Sequence, residues 1–168
     1  MPANLSPIDK AKFAAARRAA DFVEDGMKVG LGTGSTAAWL VRCLGEMMRD
    51  NGLNITAVAT SLRTADLARK VGITVQSLDE AKWLDLTIDG ADEFDASLNL
   101  IKGGGGAHLI EKVVATASDR MIVIADAAKE VAILGAFPLP VEVLKFGWQT
   151  TQGLISGARE GMDVSGRE

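Results

Sequence analysis

Residues 28–48 read KVGLGTGSTAAWLVRCLGEMM, and this run decides the fold. Lys28 to Leu31 is a short apolar strand. Gly32-Thr33-Gly34-Ser35-Thr36 is a glycine-rich turn, and a helix follows it to about Met48. Strand, turn and helix in that order open a parallel β-α-β unit. On the N-terminal side, Ser6 reads as an N-cap with Pro7 at the first helical position. Alanines and arginines carry that helix to about Glu24, and Gly26 ends it. On the other side the alternation continues. Asn54–Ala59 reads as a strand, Ser61–Val71 as a helix closed by Gly72, and Ile73–Val75 as a strand. Leu84–Asp89 runs into Gly90 as a buried strand.

Gly103–Gly106 break the chain before a helix over Ala107–Ala117, and Arg120–Ala125 is the most strand-like run of all. Phe137-Pro138-Leu139-Pro140 is a rigid connector before Val141–Leu144, and a further helix runs from Gly147 to about Glu160. There is no internal repeat. The pattern predicts an α/β class with a doubly wound, mostly parallel sheet. In such sheets ligands bind beyond the carboxyl ends of the strands. Three turns fall there: Gly32–Thr36, Asp89–Glu93 and Ala125–Lys129.

The 168 residues suit one compact domain, with or without a small appendage. A net charge of −4 without a basic run argues against a nucleic-acid partner. The absence of tyrosine, with only 5% aromatics, argues against base-stacking platforms. An anionic ligand would have to be held by local groups. Cys43 is the only cysteine, so no intrachain disulfide forms, and it reads as a small core hydrophobe. No apolar run reaches membrane-spanning length and the N-terminus lacks signal-peptide order, so the expected location is the cytoplasm, without a membrane partner. His108 is the only histidine and carries no assigned role; Trp39, Trp83 and Trp148 read as core or interface anchors.

Three segments carry chemistry. In Gly32–Thr36, glycines admit an anion to the backbone, and helix N-terminal N–H groups with neighbouring hydroxyls could bind phosphate oxygens. A capped tight turn is the other reading. The spacing fits neither a dinucleotide fingerprint nor a nucleoside-triphosphate loop. Asp89-Gly90-Ala91-Asp92-Glu93 crowds carboxylates at a strand end, which is costly unless they are paired or used. They could bind sugar hydroxyls, relay protons or hold a metal, or form a solvated acidic turn. Asp89, Asp92 and Asp95 lack the spacing of a calcium loop, and no His/Cys cluster is present. Lys102-Gly103-Gly104-Gly105-Gly106 precedes the helix that contains Glu111; its amides could converge on a developing oxyanion, or the run is a flexible loop followed by an ordinary surface Glu. Lys129, after Ala125-Asp126, could close on a phosphate, although a surface lysine at a helix start is the commoner case.

Together these blocks resemble the ribose-5-phosphate isomerase A family: VGLGTGST (29–36), IDGADE (88–93), IKGGG (101–105) with Glu111 beyond it, IADAAK (124–129) and FPLPVEV (137–143). The resemblance implies a Rossmann-like fold of the isomerase and CoA-transferase type. It implies a catalytic domain over 1–143 and the beginning of an incomplete α/β lid over 144–168, C-terminally shortened relative to the family. It implies Glu111 as catalytic base, assisted by Asp89, Asp92 and Lys102. Substrate contacts would come from Thr33, Gly34, Ser35, Thr36, Asp89, Gly90, Ala91, Asp92, Lys102, Gly103, Gly104, Gly105, Lys129 and, in the first helix, Lys12. The implied reaction is the interconversion of D-ribose 5-phosphate and D-ribulose 5-phosphate through an enediolate, in the non-oxidative pentose phosphate pathway. It uses no metal and no cofactor, and the family resemblance implies a homodimer. The competing expectation is a sugar-phosphate sensor or an inactive truncated homologue.

Overall fold

The computed structural model describes residues 5–158 and 164–166. Helix α1 spans Pro7–Ala20, and the Ser6 hydroxyl caps it by accepting the Asp9 N–H. Strand β1 is Lys28–Leu31, α2 is Ser35–Asn51, β2 is Thr56–Ala59 and α3 is Leu62–Lys70. Strand β3 is Thr74–Val75, α4 Leu78–Ala81 and β4 Leu86–Asp89. Strands β5 (Glu93–Phe94) and β6 (Leu100–Ile101) precede α5 (His108–Thr116) and β7 (Met121–Val123). A 3-10 turn at Ala127–Lys129 and α6 (Trp148–Ala158) complete the elements.

The main sheet has five strands in the order β3-β2-β1-β4-β7. Every pairing in it is parallel. The doubly wound expectation therefore holds. The order reverses between β1 and β4, so a crevice opens beyond the carboxyl ends of those two strands. The chain leaves β1 into Gly32–Thr36 and leaves β4 into Gly90–Asp92, so both lead into this crevice.

Alternation along the strands divides the core in two. Val29, Leu31, Ala57, Leu86 and Ile88 face one side, packed with Ala16 and Ala20 of α1, Leu40, Val41 and Leu44 of α2, and Ala68 of α3. Cys43 is fully buried there, as a small hydrophobe. Trp39 also packs on this core, edge-on to Phe13. On the other side Val58 meets Ala81, Leu84 and Val114. Gly30 faces that second side. A Cβ there would lie 2.0 Å from Thr87 Oγ1 and 2.8 Å from Val114 Cγ1, so the missing side chain is what lets α5 lie close on the sheet.

Several boundaries differ from the sequence expectation. The first helix stops at Ala20 rather than near Glu24, and the second runs on to Asn51. Leu84 makes only an isolated bridge to Ser118, and Arg120 and Ala125 lie outside β7. Val141–Leu144 has no regular structure and is exposed. The antiparallel β5–β6 hairpin was not expected. Its strands are two residues each, too short for alternation to register. Part of the helix expected up to Glu160 lies outside the described residues.

Candidate active site

One cleft gathers the segments singled out from the sequence. Its walls include Lys12 from α1, Thr33–Thr36, Gly90–Asp92, Lys102, Gly103, Gly105, Glu111, Ala125, Asp126 and Lys129. Of the expected site residues only Asp89 and Gly104 stand behind the wall, and both hold it in place. Asp126 was not expected. It is 6% exposed, and its carboxylate accepts the Ala128 N–H, capping the turn that presents Lys129. The signal available in the sequence was an aspartate placed to cap a turn after a strand.

The glycine turn leaves the start of α2 open to the cleft. Gly34 sits at φ +114°, a conformation that L side chains rarely adopt. The first bond of the helix runs from Ala38 N–H to Gly34 O at 3.0 Å, so the N–H groups of Ser35, Thr36 and Ala37 precede the helix ladder. Among the described residues no side chain caps this helix. That leaves a positive helix end facing the cleft, where an anion is favoured.

The turn is braced from β2 and α3. The Thr33 and Thr60 hydroxyls are 2.7 Å apart, and Thr60 Oγ1 also donates to Leu31 O at 3.2 Å. Thr64 Oγ1 donates to Gly32 O at 3.0 Å. Thr60 is wholly buried. Neither threonine was singled out in the sequence, because a Thr after a strand or in the first turn of a helix is ordinary there.

Asp89 is 1% exposed. Its Oδ1 accepts the N–H groups of Thr33 (3.1 Å) and Gly90 (2.7 Å), and its Oδ2 accepts Lys102 Nζ at 2.9 Å. Gly32 makes room for it, since a Cβ at that position would lie 1.9 Å from Asp89 Oδ1. Lys102 Nζ also donates to Gly90 O at 2.5 Å. Asp92 accepts the Gly104 N–H at 2.7 Å and so ties the glycine loop to the acidic strand end. Asp95 turns back into its own hairpin, accepting from Ser97 N and Asn99 N, both at 2.9 Å. Among the described residues no cluster of three or more His, Cys, Asp or Glu is placed to hold a metal ion.

Glu111 lies in the first turn of α5. Val114, on the same helix face at i+3, packs against the Gly30–Thr87 contact and sets the rotation of the helix. Glu111 is 4% exposed, and its Oε2 has no hydrogen-bond partner among the described residues. Lys102 Nζ is 3.4 Å from that oxygen. Burial pushes the Glu111 carboxyl above the usual carboxylate range, and the neighbouring Asp89 charge pushes the same way, while Lys102 opposes both. Desolvation wins. The arrangement is a buried, under-solvated carboxylate facing a cleft that also holds an ammonium and a helix N-terminus.

Comparison with known proteins follows the same lines. The sequence model of the family described as ribose 5-phosphate isomerase A (phosphoriboisomerase A) matches residues 56–168. Ribose-5-phosphate isomerase A of Cereibacter sphaeroides (strain ATCC 17029 / ATH 2.4.9) is 75% identical over the whole of this chain, which covers 64% of that relative. The structure of ribose 5-phosphate isomerase A from Methanocaldococcus jannaschii superposes with a TM-score of 0.85 at 39% identity, covering 89% of this chain and 67% of that one. A D-ribose-5-phosphate isomerase in complex with phospho-erythronic acid gives a TM-score of 0.85 at 38% identity, over 90% of this chain and 67% of that one. The chain spans about two thirds of the length of the relatives it matches. It belongs to the ribose 5-phosphate isomerase A family.

Proposed function

We propose that this chain carries the catalytic centre of an aldose–ketose isomerase that interconverts D-ribose 5-phosphate and D-ribulose 5-phosphate. The observation that supports this most is the shared cleft: the buried Glu111 carboxylate faces the same space as the Thr33–Thr36 turn, Asp92 and Lys102. The phosphate would lie at the start of α2, with Lys12 and Lys129 closing on it. The complex of a relative with phospho-erythronic acid, an acyclic sugar-acid phosphate, fits a ligand of this kind.

The chemistry then follows from the groups at hand. Glu111 takes the proton from C2 of the open-chain aldose and returns it to C1. A positioned carboxylate of this sort contributes about 10²–10⁴-fold. Its raised pKa suits the task, because a base closer to neutrality is a stronger proton acceptor. Negative charge on the enediolate oxygen meets Lys102 and the amides of the glycine loop. Asp92, at the cleft wall, exchanges the proton between the two oxygens. Asp89 acts from behind, by holding Lys102 and the Thr33 amide together. The reading extends to a homodimer in the cytoplasm, which sedimentation and cell fractionation would test.

The direct test is ketose formation from ribose 5-phosphate by the purified chain with no added cofactor. Turnover that disappears in Glu111→Gln supports the reading. Calorimetric binding of the sugar phosphate without turnover would favour a sensor or an inactive homologue instead.

A further inference from the structure

The segment after the cleft, residues 130–142, is used by none of the chemistry above, yet it lies across the parts that perform it. Val131 N–H donates to Phe94 O at 2.9 Å, joining the segment to the β5–β6 hairpin. Glu93, on the same hairpin, is 4% exposed. Its carboxylate accepts the Gly135 N–H at 2.8 Å and the Phe137 N–H. No salt bridge reaches it among the described residues. A buried carboxylate without a cation is costly unless hydrogen bonds replace its water. Here both of its oxygens are spent on one stretch of backbone.

That stretch presses on the glycine loop. A Cβ on Gly104 would lie 2.8 Å from Phe137 Cζ, and one on Gly103 would lie 3.2 Å from Pro140 Cβ. The missing side chains at Gly103 and Gly104 therefore leave room for this strap, as they do for His108 and Asp92. Further along, the Glu142 carboxylate accepts the Leu109 N–H at 2.6 Å and caps α5, which has no cap of its own. In the hairpin Glu93 is registered opposite Ile101, immediately before Lys102. The strap is thus anchored beside the lysine at one end and on the helix of Glu111 at the other.

We propose that Glu93 is a positioning residue, whose buried carboxylate holds residues 135–140 against Gly103–Gly104 and thereby fixes Lys102 and the start of α5. Its catalytic consequence rests on the isomerase reading above; the strap itself does not. In Glu93→Gln the amide nitrogen replaces one of the two acceptors and faces a backbone N–H. Hydrogen exchange should then quicken by roughly tenfold or more at Gly104 and Gly106, with β1, β2 and β4 unchanged, as expected for loss of a charged hydrogen bond. Ribose 5-phosphate turnover should lose kcat by about the same factor, with KM changed much less. Phe137→Ala removes a half-buried side chain outside the core and should show the same pair of effects, so it decides the matter if Glu93→Gln fails to fold. Unchanged exchange in the glycine loop of a folded variant would overturn the proposal. Faster exchange with unchanged kcat would overturn the positioning role. A wild-type chain that binds but does not turn over would sink the isomerase reading, while exchange still decides whether Glu93 holds the loop.

Discussion

The Lys102 ammonium lies 3.4 Å from the Glu111 carboxylate and 2.9 Å from that of Asp89, so one cation serves two buried carboxylates. Asp89 has two backbone N–H partners besides. Glu111 Oε2 has none among the described residues. The deficit therefore falls on Glu111, whose pKa burial raises.

The sign of the resulting pH dependence is fixed. A carboxyl whose folded pKa is raised above its ordinary 4.5 binds its proton more tightly when folded. Stability is therefore lost as pH rises from the unfolded value through the folded one. Glu111→Gln removes that loss. Thermal melts should show wild type and variant converging in acid and the variant ahead at neutral pH. A wild type that gains on the variant with rising pH would contradict the burial argument.

Among the described residues Lys102 is the one ammonium within salt-bridge distance of both carboxylates, and Lys102→Met removes it. Breaking a mostly buried pair from one side costs about 3–5 kcal/mol, so the melting temperature should drop. The Glu111 pKa should climb further, because the group opposing its shift is gone. In any residual turnover the acid limb of the pH–rate profile should move to higher pH. A limb that stays in place would separate the lysine from the base.

Gly32→Ala places a Cβ 1.9 Å from Asp89 Oδ1. The carboxylate must shift, loosening the Thr33 amide and Lys102 together. Calorimetry with ribose 5-phosphate should show affinity weakened by roughly tenfold or more, the scale of one charge-assisted hydrogen bond. Gly157→Ala, in open space on α6, is the matched control and should bind as wild type.

Thr60→Val deletes the buried hydroxyl that holds Thr33. The expected cost is about 1 kcal/mol in stability, with weaker binding of inorganic phosphate. Thr60→Ser should restore both.

Much of this was legible in the sequence. The turn at Gly32–Thr36 announces a β-α unit, and its neighbours repeat the pattern, so the parallel sheet and its loaded end could be read directly. Asp92 could be placed beside the Gly32–Thr36 turn because both follow strands of such a sheet; Lys102 and Glu111 join them in the sequence only through the family resemblance. What escaped was tertiary. The service of Asp89 from behind the cleft depends on the gap left by Gly32, which no local pattern encodes. Thr60, Thr64 and Glu93 act through partners about 30 to 45 residues away. The β5–β6 hairpin is too brief for periodicity to detect.

The central claim is that the Glu111 carboxylate moves the proton between carbons. Nuclear magnetic resonance of ribose 5-phosphate incubated with the chain in deuterium oxide tests it most directly. The account predicts deuterium entering at the carbons beside the carbonyl with wild type and none with Glu111→Gln, although the variant still binds the sugar phosphate. Incorporation by Glu111→Gln at the wild-type rate would contradict it.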